Sequence, residues 1–163
     1  VGPCAAKKLE ASRRTVRSDV DFVLTFEELM GMFEAKGVNF DTLEAEPGDD
    51  FQHASADGRG FAASGGVAQA VVNAIKQMDP DREVKVASAQ GLADCKRLLM
   101  MARAGKYNGY LLEGMGCPGG CVGGAGTLAD PAKAAAALAK YSVEAPMKHS
   151  TESPYEIDLA FLK

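Results

Sequence analysis

The chain of 163 residues contains no tryptophan, and it has only two histidines, His53 and His149. A histidine-rich metal site is therefore poorly supplied, and His53, with no ligand pattern around it, reads as a surface residue. No apolar run is long enough to span a bilayer and no secretory leader is visible, so no membrane partner is expected. A charge excess of one sign is also missing. The net charge is −4 and the pI about 5.2, which gives no basic footprint for nucleic acid or an anionic membrane. Repeats, low-complexity linkers, a dinucleotide fingerprint and a P-loop are all absent. The chain does not open on methionine. Val1 leads straight into Gly2-Pro3-Cys4, so the sequence reads as an excised fragment whose native N-terminus is not visible.

What is present is an ordinary globular composition, 47% apolar and 25% charged, at a length that suits one domain with a real core. The densest information lies in Glu113-Gly-Met-Gly-Cys117-Pro-Gly-Gly-Cys121-Val-Gly-Gly-Ala-Gly-Thr127, where seven glycines fall between residues 114 and 126. Each glycine costs backbone entropy in a regular element, so such a run belongs where backbone approaches something closely with its N–H groups turned inward. Thiolates beside convergent N–H donors suit an anionic iron–sulfur cluster. Four cysteines permit two disulfides, but their placement favours metal ligation by Cys4, Cys117 and Cys121, with disulfide and bystander roles as alternatives. Cys95 falls on the apolar stripe of a helix and reads as core packing. Zinc is the main metal rival, yet Cys-x-x-x-Cys has no second pair to complete a tetrahedral site.

Along the chain, Ala5 to Arg17 is basic and reads as solvated surface. Asp21 to Leu24 reads as a short buried strand. Thr25-Phe-Glu-Glu28 has capping-box spacing and opens a helix with Phe26, Leu29, Met30 and Phe33 facing a core and Gly37 at its end. Residues 41–60 read as a long acidic loop. Gly65-Gly66 turns into a helix that places Val67, Ala70, Val71, Ala74, Ile75 and Met78 inside, and such a glycine turn is a common anion-facing device. A strand over 83–88, a helix over 92–104 and a strand over 110–113 follow. Asp130-Pro131 caps an alanine-rich helix to about Tyr141, and a last helix is expected from Ser153 to Leu162. With a further strand ending at Val1-Gly2, the expectation is an α/β fold: a mostly parallel four-stranded sheet flanked by helices. Ligands gather at the carboxyl ends of such strands, which would bring Cys4 near Cys117 and Cys121.

Gly2-Pro3-Cys4-Ala-Ala-Lys7-Lys8-Leu9-Glu10 resembles the second signature of the iron-only hydrogenases, Met-Pro-Cys-x-x-Lys-x-x-Glu. The stretch from Glu113 to Gly124 resembles their third signature. Asp19 to Leu29 and Ser64-Gly-Gly-Val67 resemble family segments in the same order. The likeness spans nearly the whole chain and implies that residues 1–163 form the C-terminal lobe of the two-lobed hydrogenase catalytic domain. It implies an H-cluster in the full-length protein, a 4Fe-4S cubane linked to a two-iron subsite carrying CO, CN⁻ and a dithiolate amine, and none in this fragment. By motif position Cys4, Cys117 and Cys121 are cubane ligands, Cys121 also bridges to the subsite, and Lys7 hydrogen-bonds a cyanide. Met115, and with it Phe61, packs against the subsite. Glu10 supports a basic residue, the plainer reading of it being an ion pair. The implied partners are the N-terminal lobe of the same chain, a ferredoxin-like electron carrier and hydrogenase maturation proteins, in a cytoplasmic setting.

The resemblance has two departures. Gly2 stands where the family has methionine before Pro-Cys, and Gly123-Gly-Ala125-Gly-Thr127 replaces Gly-Gly-Gly-Gln-Pro. The first signature, Thr-Ser-Cys-Cys-Pro, would lie before Val1, and with it the fourth cubane ligand and the proton-relay cysteine. The expected activity is reversible reduction of protons to H2 by the full-length protein, with the fragment inactive. The alternatives are a hydrogen-sensing relative, an iron–sulfur assembly protein that lacks the two-iron site, and an α/β domain without a cluster.

Overall fold

The computed structural model describes residues 1–17, 19–44 and 53–153. Helix α1 (Ala6–Ala11) is short and follows Cys4 directly, in a stretch whose sequence promised only charged surface. Helix α2 (Phe26–Ala35) opens on the expected capping box: the Glu28 N–H donates to the Thr25 hydroxyl, and the Glu28 carboxylate accepts from the Thr25 N–H. Gly37, at φ +66°, supplies the left-handed residue that ends it. A four-residue turn of helix, α3 (Ala56–Arg59), lies inside the stretch expected to be a loop. Next come α4 (Gly66–Met78), β1 (Lys85–Gln90), α5 (Leu92–Arg103), β2 (Tyr110–Met115) and α6 (Pro131–Val143). Asp130 caps α6 by accepting from the Ala132 and Lys133 N–H groups at 3.1 Å each. The helix expected over 153–162 lies outside the described residues, apart from Ser153 itself.

Strands β1 and β2 pair in parallel, Lys85 with Tyr110 through Gln90 with Met115, and α5 is the crossover between them. Among the described residues the sheet has two strands, not four. The stretches at Val1-Gly2 and Asp21–Leu24 do run side by side, but one backbone bond joins them, from the Gly2 N–H to the Leu24 carbonyl at 2.9 Å. Pro3 faces the other way, its carbonyl accepting from the Gly126 N–H at 3.0 Å, so the two stretches share a single rung and form no ladder.

The core is small. Ala68, Ala70 and Val72 of α4, Leu98 of α5 and Val122 are its buried apolar residues, and none is fully enclosed. Phe26 and Met30, expected to face a core, are exposed, because no described element covers that side of α2. On α4 the buried face is rotated from the expected one, with Val71 and Met78 turned outward. Helix α3 packs between α4 and α6, where Arg59 donates to the Tyr141 carbonyl at 2.8 Å and lies over the Tyr141 ring at 3.8 Å. His149 meets Asp57 of α3 at 3.2 Å and so ties down the chain after α6 rather than serving a metal.

Candidate cluster-binding site

The cysteine loop leaves the end of β2 and is held from three sides. From the front, the Pro3 carbonyl accepts from the Gly126 N–H at 3.0 Å, and the Gly126 carbonyl accepts from the Phe26 N–H at 3.3 Å. The backbones approach so closely that a Cβ on Gly124 would strike the Pro3 carbonyl, and one on Gly126 would lie 2.8 Å from the Thr25 methyl. The segment carrying Cys4 is thereby stitched to the residues just after Cys121, although Val1-Gly2 is not the sheet strand that the strand-end argument required. From behind, Gly120 presses on the turn after α3. A Cβ there would sit 2.5 Å from the Ser64 nitrogen, and the Ser64 N–H donates to the Gly119 carbonyl at 3.0 Å. Beside the sheet, the Gly91 N–H donates to the Met115 carbonyl at 2.8 Å, and the Gly119 N–H donates to the Gln90 side-chain carbonyl at 2.5 Å. The glycine run therefore has a steric cause at Gly120, Gly124 and Gly126. Each is a place where backbone meets backbone or a side chain.

Cys4, Cys117 and Cys121 are free, half-buried thiols. Lys7, one turn after Cys4, pairs with Glu10, and that hydrogen bond holds the ammonium above its ordinary pKa, with Glu10's charge and the Cys4 and Cys121 thiols adding in the same direction. Glu10 is held below its ordinary value by Lys7, so the ion-pair reading of Glu10 is the one observed. Cys4 and Lys7 also line a shallow cleft of about 230 Å³ with Val20, Phe22 and Val23. Met115 is half-buried at the end of β2, opposite Gln90. Phe61 sits in the turn Gly60–Ala62 behind the loop and is largely exposed. Cys95 tucks its thiol against the Met115 and Ala89 carbonyls at 3.4 and 3.6 Å, a packing role as expected.

The glycine turn before α4 does face an anion, and the anion is internal. Glu113, 8% exposed, accepts from the Gly65 N–H at 2.5 Å and the Ala68 N–H at 3.0 Å. Its role in fixing the start of the cysteine loop was not foreseen, nor were those of Gln90 and Ser64. Glu113 stood inside the third signature, which could have marked it. Gln90 carried no signal, since a strand-end glutamine has no motif of its own.

Soft thiolates, a backbone cradle without room for side chains and a nearby cation fit an anionic iron–sulfur cluster. Among the described residues, no three His, Cys, Asp or Glu side chains stand close enough to hold a single ion, and that includes Cys4, Cys117 and Cys121.

Residues 1–125 match the family model for the iron only hydrogenase large subunit, C-terminal domain. The periplasmic Fe hydrogenase large subunit of Nitratidesulfovibrio vulgaris is 31% identical, covering 76% of this chain and 37% of that protein. The NADP-reducing hydrogenase subunit HndD of Solidesulfovibrio fructosivorans is 28% identical over 98% of this chain and 33% of its own length. Cytosolic iron-sulfur assembly component 3 of Bos taurus is 28% identical over 80% of this chain and 35% of its own. A solved structure of HydA(deltaEFG), described as revealing stepwise H-cluster assembly in the FeFe hydrogenase, shares the fold with a TM-score of 0.64 at 21% identity. It covers 94% of this chain and 55% of that one. The chain thus spans about a third of the length of the curated relatives it matches. With the match extending from Val1 through both cysteine motifs, the chain belongs to the family of the iron-only hydrogenase large subunit, C-terminal domain.

Proposed function

We propose that this chain supplies three ligands of an H-cluster and serves, in the protein as its gene encodes it, the reversible reduction of protons to H2. The observation that carries the reading is the junction of the Pro3-Cys4 segment with Gly124–Gly126, which joins the segment bearing Cys4 to the residues just after Cys121. Cys4, Cys117 and Cys121 would hold the cubane in this reading, with Cys121 the ligand nearest the two-iron subsite by its place in the motif. When bound, the H-cluster supplies the redox chemistry of proton reduction or of heterolytic H2 cleavage. The protein's share is position and charge. Lys7 has three N–H donors, so it keeps Glu10 with one and offers another to an anionic ligand. The glycine cradle excludes side chains, and Met115 and Phe61 give the subsite an apolar wall.

The N-terminal lobe of the same protein would add the fourth cubane ligand, a ferredoxin-like carrier would exchange electrons, and maturation proteins would install the subsite, in the cytoplasm. Residues 1–163 by themselves should bind no H-cluster and evolve no hydrogen, because three thiols leave a cubane one ligand short. Stoichiometric loading and hydrogen evolution by those residues alone would overturn this.

The likeness to the cytosolic iron-sulfur assembly component favours a second reading, a cubane-only assembly factor. The presence of Lys7 and Met115 at the positions where the hydrogenase motifs carry them favours the hydrogenase. An infrared spectrum of the gene-encoded protein, matured anaerobically, separates the two. Metal-bound CO and CN⁻ stretches that vanish in Cys121→Ser support the hydrogenase. Their absence beside an intact cubane signal, with maturation proven on a control hydrogenase, supports the assembly factor.

A further inference from the structure

We propose that Gln90 is a positioning residue for the cysteine loop, holding the turn between Cys117 and Cys121 in the shape that presents both thiolates to a cluster. The inference rests on the cluster-binding reading above and adds to it a residue outside every motif that carries the family resemblance.

The turn between the two cysteines is conformationally demanding. Gly119 and Gly120 have φ of +81° and +96°, and the Gly120 N–H closes on the Cys117 carbonyl at 3.1 Å. A chain bent that way has little intrinsic preference for one shape, because glycine populates many. External contacts select it. On one side the selection is made by backbone: the turn over residues 62–64 blocks Gly120, and the Ser64 N–H takes the Gly119 carbonyl. On the other side it is made by one side chain. The Gln90 carboxamide oxygen accepts from the Gly119 N–H at 2.5 Å. Both polar groups of Gly119 are therefore committed, one to Ser64 and one to Gln90.

Gln90 is itself well anchored. It is the last residue of β1, paired with Met115, and the next N–H, that of Gly91, donates to the Met115 carbonyl at 2.8 Å. The strand end therefore sets where the carboxamide stands, and the carboxamide sets where Gly119 stands, midway between the cysteines. A strand ending in a residue without an acceptor at that reach would leave Gly119 held by Ser64 alone. Gln90 is exposed on this chain, so its hydrogen bond adds little to global stability, and its effect should appear locally in the loop.

The test uses the gene-encoded protein with Gln90→Ala, Gln90→Met, which keeps side-chain bulk but removes the acceptor, and Gln90→Glu, which keeps an acceptor at the same reach. Two readouts are taken: amide hydrogen exchange at Gly119 and Gly120 without cluster, and the electron paramagnetic resonance line shape of the reduced cubane. The alanine and methionine variants should speed exchange at Gly119 by about tenfold, the scale of one lost hydrogen bond. They should also broaden or shift the cubane signal, and the glutamate variant should restore both. Wild-type exchange and line shape in Gln90→Ala and Gln90→Met would overturn the proposal. So would a glutamate variant that behaves like alanine. If the wild-type protein takes up no cubane, the cluster reading falls and with it the ligand-presenting role. The exchange data then decide separately whether Gln90 fixes the loop at all.

Discussion

A carboxylate beside helix N–H groups and one beside an ammonium lead to different expectations here, and burial decides which. Glu10 and Lys7 are i, i+3 partners on α1 with both side chains well exposed, so solvent screens their attraction and the pair adds little to folding. Its meaning is local: Glu10 holds the Lys7 ammonium on the turn that follows Cys4. Glu10→Gln should leave the melting temperature nearly unchanged and lower the Lys7 pKa toward its ordinary value, read from the titration of its side-chain resonances. Glu113 is the opposite case. It is buried and satisfies two N–H groups at the start of α4, which no other described side chain reaches. Glu113→Ala leaves those donors without a partner and should cost about 3 kcal/mol in denaturant unfolding. Glu113→Gln, which keeps one acceptor oxygen, should cost about half as much. If alanine costs no more than a surface substitution, Glu113 does not hold the loop to α4. The glycines were legible as a group but not singly. That Gly120 faces residues 62–64 while Gly119 faces Gln90 depends on segments distant in sequence.

At the level of elements, local chemistry predicted well and long-range pairing did not. The capping box of α2 and the Asp130-Pro131 start of α6 were readable because each is specified by residues within a few positions of one another, and β1–α5–β2 because strand, helix and strand alternate in sequence. The strand expected at 21–24 failed because an apolar run becomes a strand only where a partner offers a ladder, and the stretch alongside gives it one backbone bond, at Gly2, before turning to Gly126. The buried faces of α2 and α4 were misjudged for a related reason, since periodicity gives a stripe but not what covers it. Helix α2 also carries a pH-dependent element. Lys8 bonds the Glu28 carboxylate at 2.7 and 2.9 Å, and the Thr25 N–H donates to it as well, so Glu28 is held below its ordinary value of 4.5. A lowered folded-state pKa means stability that is present above about pH 4.5 and lost as pH falls through the lowered value. The α1–α2 connection should therefore loosen in acid, and Glu28→Gln should abolish that acid step in helicity followed by circular dichroism. Thr25→Ala, which removes the hydroxyl end of the box, should cost about 1 kcal/mol at neutral pH.

For the whole molecule, the conflict lies between composition and burial. An apolar fraction of 47% suits a sizeable core, yet the buried apolar residues are few and small. Among the described residues, the other apolar side chains are half-buried or lie in open faces. Phe22 is 84% exposed beside Cys4, Leu92 and Leu99 stand out from α5, and Phe26, Val122, Leu128, Leu138 and Tyr141 line an open groove of about 490 Å³. Free apolar surface is unfavourable in water by about 25 cal/mol per Å², so faces of this kind mark where further protein packs or where copies associate. Much of the site was legible because thiols, glycines and a cation occur in distinctive spacing, whereas what closes over them was not, since a covering surface writes no pattern into the residues it covers. The 163-residue chain expressed by itself is thus expected to bind a fluorescent hydrophobic probe such as anilinonaphthalene sulfonate and to sediment as a mixture of oligomers. Paired substitution of Phe22 and Leu92 by serine should weaken both effects without lowering helicity, because neither residue contributes to the buried core. A probe-silent monomer would mean that these faces are satisfied as they stand, and that the small core is sufficient for the fold.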